Sequence, residues 1–417
     1  MADWKTEVFE NEYLAADATD VHAIVSVTCS GAGTAGQVGA AAEVIIVDTS
    51  GSMANPSSKI HAAREAAAAA IDEIVDGTWF AVIAGDQGAS LAFEMSRADE
   101  HTRGAAKAAV KQFDPSGGTA IGSWINAATA LFSQVEATQR HAILLTDGKN
   151  ESEHASVLDA AVEDAKGVFQ CDCRGVGADW DVNELREISS ALLGSVDIIA
   201  KPEKMADDFR QMMRAAMGRG VADATLRVWA PQGAEVEFVR QVAPTIEDLT
   251  DRALQTGPLV REYPTGSWGD ESRDYHVAVR VAPKPLGAEQ LVARVQLVVA
   301  DEVVGQGLVK ATWSDDVALT TRINPSVAHY TGQTELASAI QEGLAAKAAG
   351  DEASATFKLG RAAQLAAETG DEEATNRLKR VVDIEDAETG TVRLKAKVDK
   401  LDEMALDTAS TKTTRVR

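Results

Sequence analysis

Cysteine is scarce: Cys29, Cys171 and Cys173 are all that occur in 417 residues. An odd, widely split set of thiols excludes a disulfide framework and suits a reducing compartment. No stretch approaches the run of about twenty apolar residues that crosses a bilayer. The first residues, Met1-Ala2-Asp3-Trp4-Lys5-Thr6-Glu7, have no apolar core, so no secretory signal is expected there. Basic residues are also short, with 40 Lys and Arg against 64 Asp and Glu and a net charge of -24. Nucleic acid, anionic membrane and heparin-like partners need clustered cations, so these are excluded as expected partners. The cytoplasm is the expected location. A hydrophobic content of 45% and a charged content of 25% are those of an ordinary globular chain.

What is present is organised around Glu43-Val44-Ile45-Ile46-Val47-Asp48-Thr49-Ser50-Gly51-Ser52-Met53. The β-branched apolar run fits a central parallel strand covered on both faces. It ends in a carboxylate (Asp48) and two hydroxyls (Ser50, Ser52), placed where open α/β sheets bind ligands. Such oxygen donors suit a hard divalent cation such as Mg²⁺. Strand and helix patterns alternate through this part of the chain. Strands are expected at 79–84, 142–145, 168–173 and 196–200, with 89–93 as an antiparallel edge. Helices are expected at 59–75, 102–113, 121–135, 155–166, 183–193 and 205–217. The alternation specifies a doubly wound, mostly parallel sheet. Ser57 and Ser58 are candidate caps of the first helix, which carries the run Ala66-Ala67-Ala68-Ala69-Ala70.

Asp-x-Ser-Gly-Ser at 48–52 resembles the metal-ion-dependent adhesion site of the von Willebrand factor A (VWA) family. Pro115-Ser116-Gly117-Gly118-Thr119 resembles the family's Gly-Gly-Thr loop, and Leu145-Thr146-Asp147-Gly148 its Thr-Asp-Gly strand end. The resemblance implies a metal held by Asp48, Ser50, Ser52, Thr119 and Asp147, with Asp147 acting through water. It also implies Mg²⁺ (or Mn²⁺ or Ca²⁺), no catalysis, and an open coordination position for a partner protein's Asp or Glu. The expected function is a metal-dependent interaction scaffold. One alternative is a VWA subunit docking onto a separate chelatase-like ATPase, because the chain has no Walker sequence of its own. A Mg²⁺-dependent phosphohydrolase of the haloacid-dehalogenase type would need an acid at position 50, which is serine, and Lys149 is too little to restore it.

Two short motifs read as structural. Gly31-Ala32-Gly33-Thr34-Ala35-Gly36 matches a dinucleotide fingerprint but leaves no room for a helix before Val44, so a linker is expected. Cys171 and Cys173 share a strand face and lack further ligands nearby, which suits buried thiols.

Elsewhere the pattern changes. Period-two stretches at 225–229, 235–239, 276–281, 291–298 and 307–313 predict an antiparallel β-sandwich, with turns at Pro231-Gln232-Gly233 and Thr265-Gly266-Ser267. A strand at 22–29 is expected to join it. Ala348-Ala349-Gly350-Asp351-Glu352 and Glu368-Thr369-Gly370-Asp371-Glu372 each predict a helix stop followed by an aspartate cap. The expected segments are therefore 1–38 (strands of the sandwich), 39–220 (VWA domain), 221–316 (sandwich), 325–405 (helical bundle) and 406–417 (flexible tail). Thr413 with Val416 resembles a phosphothreonine ligand of forkhead-associated (FHA) domains, partners that bacterial multidomain VWA proteins often have.

Overall fold

The computed structural model describes residues 2–33 and 41–415. Thr34, Ala35 and Gly36 of the glycine motif lie outside the described residues. The chain forms two compact units. One comprises Met1–Gly31, Asp223–Thr265 and Asp270–Arg417, and the other comprises Ala32–Ala222 with Gly266–Gly269.

In the first unit the chain begins with β1 (Asp3–Glu10), β2 (Tyr13–Leu14) and β3 (Asp20–Ser30). β1 pairs antiparallel with β3. The chain then enters the second unit, an α/β domain. Its strands are β4 (Ala41–Asp48), β5 (Trp79–Gly85), β6 (Ala89–Arg97), β7 (Gln139–Thr146), β8 (Gln170–Val176) and β9 (Val196–Ile199). The helices are α1 (Ser58–Glu73), α2 (Glu100–Val110), α3 (Ile121–Phe132), α4 (Ala155–Ala165), α5 (Val182–Ala191) and α6 (Met205–Met217). The sheet order is β6-β5-β4-β7-β8-β9, with β6 antiparallel to β5 and the other pairs parallel. This is the doubly wound sheet that strand-helix alternation requires.

Every residue of β4 is buried, because helices cover both of its faces. On α1, Ala62, Ala63, Ala66, Ala67, Ala69 and Ala70 are all buried, together with Ile60 and Ile71. Their small side chains let the helix axis lie close to its neighbours, which larger residues would prevent. Ser57 occupies the N-cap position of α1 but makes no side-chain capping bond, so the expected serine cap is corrected: its backbone is already helical.

The thiols of Cys171 and Cys173 are buried and free, with sulfurs 3.9 Å apart on one face of β8. At the opposite end of the sheet from Asp48, three buried charged groups meet. His141 Nδ1 lies 2.8 Å from Glu43 Oε2, and its Nε2 lies 2.9 Å from Asp172 Oδ2.

The strands that follow, which but for the first two residues of β10 and the last three of β14 belong to the first unit, are β10 (Val221–Trp229), β11 (Glu235–Ala243), β12 (Glu247–Asp248), β13 (Leu254–Gly257), β14 (Val260–Trp268), β15 (Ser272–Arg280), β16 (Glu289–Val299) and β17 (Glu302–Trp313). They complete two sheets, β1-β3-β15-β11-β12 and β13-β14-β10-β16-β17-β2. The sheets approach closely where β17 carries glycine: a Cβ at Gly305 would lie 2.3 Å from Thr6 Oγ1, and one at Gly307 would lie 2.3 Å from Val8 Cγ2 on β1. Thr265-Gly266-Ser267, expected as a turn, lies inside β14. Gly266 has φ +74° there, a local irregularity that a strand tolerates only at glycine.

The helical part comprises α7 (Val317–Thr320), α8 (Pro325–Ala348), α9 (Glu352–Glu368), α10 (Glu372–Val381) and α11 (Lys400–Ala409). Both predicted stops are present. Gly350 and Gly370 adopt φ +80° and +66°, and the Asp351 and Asp371 carboxylates accept from Ser354 N and Ala374 N at 3.0 and 2.9 Å. A hairpin of β18 (Val382–Asp386) and β19 (Thr391–Leu394) interrupts what reads as continuous helix. Leu359, Leu378, Val382, Val392 and Leu406 share one core, so the hairpin is held by tertiary packing.

Candidate metal centre

β4 delivers Asp48 to the carboxyl end of the sheet beside Asp147, which follows β7. Both side chains are fully buried. Asp48 Oδ1 accepts from Ser50 N at 2.7 Å, and Oδ2 accepts from the Thr146 hydroxyl at 2.6 Å and from Asp147 N at 3.3 Å. Burial pushes its carboxyl up to about 6, against the lowering effect of the Ser50 and Thr146 hydrogen bonds. Ser50 Oγ and Ser52 Oγ are 2.8 Å apart, and the Ser52 hydroxyl donates to Asp147 Oδ1 at 2.5 Å.

Thr119 arrives on the loop before α3, and three backbone contacts set that loop. Gly51 N donates to Gly117 O at 3.0 Å, Ser116 N to Thr49 O at 2.8 Å, and Ala120 N to Asp86 O at 2.9 Å. The double glycine is a spatial necessity. Gly117 has φ +72°, and a Cβ on Gly118 would lie 1.9 Å from Ser152 Oγ, which accepts from Thr119 N. A Cβ on Gly148 would lie 3.0 Å from Thr119 Oγ1 and 3.8 Å from Ser52 Oγ, so both hydroxyls flank that glycine. All five expected ligand residues thus gather at one sheet end. Ser52 is exposed while Asp48 and Asp147 are not, so the site opens on the Ser52 side.

Two participants escape a reading by motif. Thr146 orients Asp48 through its hydroxyl, although the sequence marks it only as the residue before Asp147. Lys59, in the first turn of α1, places its ammonium 2.6 Å from Asp147 Oδ2. Its signal is a lone lysine in the first turn of an alanine-rich helix, which ordinarily reads as a solvated side chain.

The donor set fits a hard cation: two carboxylates and three hydroxyls, all oxygen. Among the described residues no group of three or more His, Cys, Asp or Glu side chains is arranged to hold a metal ion, as a softer metal would require. Two positions bear on the phosphohydrolase alternative. Ser50 has no acidic function, and Lys149 Nζ sits 3.7 Å from Asp181 Oδ2.

Thr413 lies elsewhere, in the first unit, and its surroundings correct the expectation of a flexible 406–417 tail over the described residues 406–415. Residues 406–409 belong to α11. Beyond it, Ile246 N donates to Thr411 O at 2.7 Å, Thr413 N to Pro244 O at 3.0 Å, and the Thr413 hydroxyl to Val242 O at 2.6 Å. Arg415 grips the buried Asp274 through two nitrogens at 2.9 and 2.7 Å. The polar composition misleads because these residues satisfy backbone groups of the sandwich instead of water. Val416 lies outside the described residues.

The sheet order and the strand-end donors define a VWA-type domain. In agreement, residues 42–198 match the von Willebrand factor type A domain, and residues 364–410 match the von Willebrand factor type A C-terminal domain. The structure is similar to a von Willebrand factor type A protein from Catenulispora acidiphila, at 48% identity and a TM-score of 0.94, covering 99% of this chain and 97% of that one. The ArnB paralog VWA2 from Sulfolobus acidocaldarius shares the fold at 15% identity and a TM-score of 0.59, with 98% of each chain covered. Human COPII-coat protein Sec24c shares it at 9% identity and a TM-score of 0.58, over 90% of this chain and 58% of that one. No curated protein matches the chain. The chain belongs to the von Willebrand factor type A family, whose domains are commonly metal-dependent interaction modules.

Proposed function

We propose that this protein is a non-enzymatic, metal-dependent interaction scaffold. A divalent cation, Mg²⁺ or alternatively Mn²⁺ or Ca²⁺, would be held by Asp48, Ser50, Ser52, Thr119 and Asp147. The supporting observation is the convergence of those five oxygen-bearing side chains at an open sheet end. When bound, the ion supplies a positive centre for a carboxylate of a partner protein. The chain's own residues orient the donors and keep the anionic ones few. Free, buried cysteines and the lack of any helix among the described residues long and apolar enough to span a membrane accord with a cytoplasmic setting.

Calorimetric titration of the full chain with Mn²⁺ and Mg²⁺ tests the metal reading. Saturable one-site binding is expected, and no binding of either ion overturns it. Capture of partners with and without EDTA then tests the bridge, and partners retained equally in EDTA would refute it.

The tail belongs to the same proposal in a conditional form. A phosphate on Thr413 can be read by an FHA-type domain only after the segment leaves its seat, because the hydroxyl is already donating to Val242 O. Arg415→Ala removes the pair with Asp274, which is 5% exposed, while Arg415 is itself 38% exposed. Discounted for that solvent access, the loss is about 1–2 kcal/mol. The variant should be clipped faster near its carboxyl end by limited proteolysis and phosphorylated faster at Thr413 by a threonine kinase. Equal rates in the two proteins would rule out a latch.

A further inference from the structure

Lys59 has no counterpart among the oxygen donors, yet it is buried and its ammonium pairs with the second carboxylate of the site. Resting on the metal-site reading, we infer that Lys59 is an internal counter-cation that keeps a bound ion electropositive, trading cation affinity for affinity toward the partner's carboxylate.

The argument is one of occupancy and charge. Asp147 Oδ1 accepts from Ser52 and Oδ2 from Lys59, so both oxygens of that carboxylate are engaged by chain donors. Asp48 accepts from Ser50 N on Oδ1 and from Thr146 Oγ1 and Asp147 N on Oδ2, all neutral donors, so its charge, unlike that of Asp147, is not offset by an ammonium. Two carboxylates and one ammonium leave the metal-free site with a single negative charge, and a divalent ion turns it into a single positive one. Without the ammonium the same site would hold two negative charges and become neutral on loading. Lys59 therefore weakens the pull on the cation and preserves the pull on an incoming anion. The α1 backbone anchors the lysine at its stem, where Lys59 N donates to Pro56 O at 2.9 Å.

The two consequences have opposite signs, and a merely structural lysine would not produce that. Mn²⁺ binding to the full chain is measured by calorimetry, and acetate binding to the Mn²⁺-loaded protein by relaxation of water protons on the ion. Lys59→Met should bind Mn²⁺ about tenfold more tightly and acetate about fivefold more weakly at low salt. Lys59→Arg, which keeps the charge, should stay near the native values for both. Should the methionine variant fail to fold, Lys59→Gln carries the same expectations, since its amide can still donate to Asp147. Mn²⁺ binding that is unchanged or weaker in the neutral variant, or acetate binding that is not reduced, overturns this inference alone. A native protein that takes up no Mn²⁺ removes the metal-site reading and this inference together.

Discussion

Asp48→Asn should lose Mn²⁺ binding by more than about 100-fold, while the metal-free variant is no less stable than the native protein. The first half follows from the donor set. Asp48 is the carboxylate whose oxygens face hydroxyls and backbone N–H groups with no cationic side chain on them, so it is the charge a cation would meet. The second half follows from its surroundings. Burial holds the ionised form at a disadvantage, with the carboxyl pushed up to about 6 from an ordinary 3.8. At neutral pH that strain amounts to about 2–3 kcal/mol. An asparagine keeps the shape and escapes the strain, but one N–H then faces a donor, at a cost of about 1–2 kcal/mol. The net expectation is a metal-free melting temperature equal to or slightly above the native one in EDTA. Retained tight binding would remove Asp48 from the site. A marked fall in stability would show that its hydrogen bonds outweigh its desolvation.

Replacing His141 should have the largest effect on stability. Its imidazole lies between Glu43 and Asp172, and all three side chains are less than a tenth exposed. Burial alone would lower its pKa, but the two carboxylates outweigh burial and push it up to about 9. Burial works to raise the Asp172 carboxyl, and His141, Arg219 and Arg174 hold it well below the usual carboxylate range instead. His141→Phe leaves both carboxylates buried without their shared cation, which costs about 3–5 kcal/mol. The pH dependence has a definite sign. A histidine whose pKa is higher folded than unfolded contributes fully below its ordinary value of 6.5, and the contribution is lost as pH rises through about 9. Melting temperatures of the native protein should therefore fall between about pH 7 and 9.5, with a shallower fall in the phenylalanine variant. Identical slopes would show that His141 is not the titrating group.

The VWA sheet and the meeting of five oxygen-bearing residues at its end were readable for a common reason. Each ligand segment is contiguous, with an apolar run, a short oxygen-rich turn and glycines where the backbone must turn or approach closely. The aspartate-capped helix starts at Asp351 and Asp371 were equally local, because a cap is a bond between neighbours a few residues apart. β14 was missed because Thr265-Gly266-Ser267 reads as a turn until strand neighbours are known. The β18–β19 hairpin was missed because its apolar residues also suit a helix, and only the shared core with α9 and α11 selects the strand.

What the sequence by itself determined is the fold of the α/β unit and which oxygen-bearing residues meet at its sheet end, since backbone geometry and strand periodicity are set by near neighbours. Tertiary structure alone decided the charge of that site and the fate of the tail. Lys59 becomes a counter-cation only because α1 returns its first turn to the end of β7. Thr413 ceases to be a free threonine only because Val242, Pro244 and Asp274, distant in sequence, present a carbonyl, a second carbonyl and a buried carboxylate to the same short segment. Electrostatic balance and burial depend on distances in space, and no local pattern of residues encodes them.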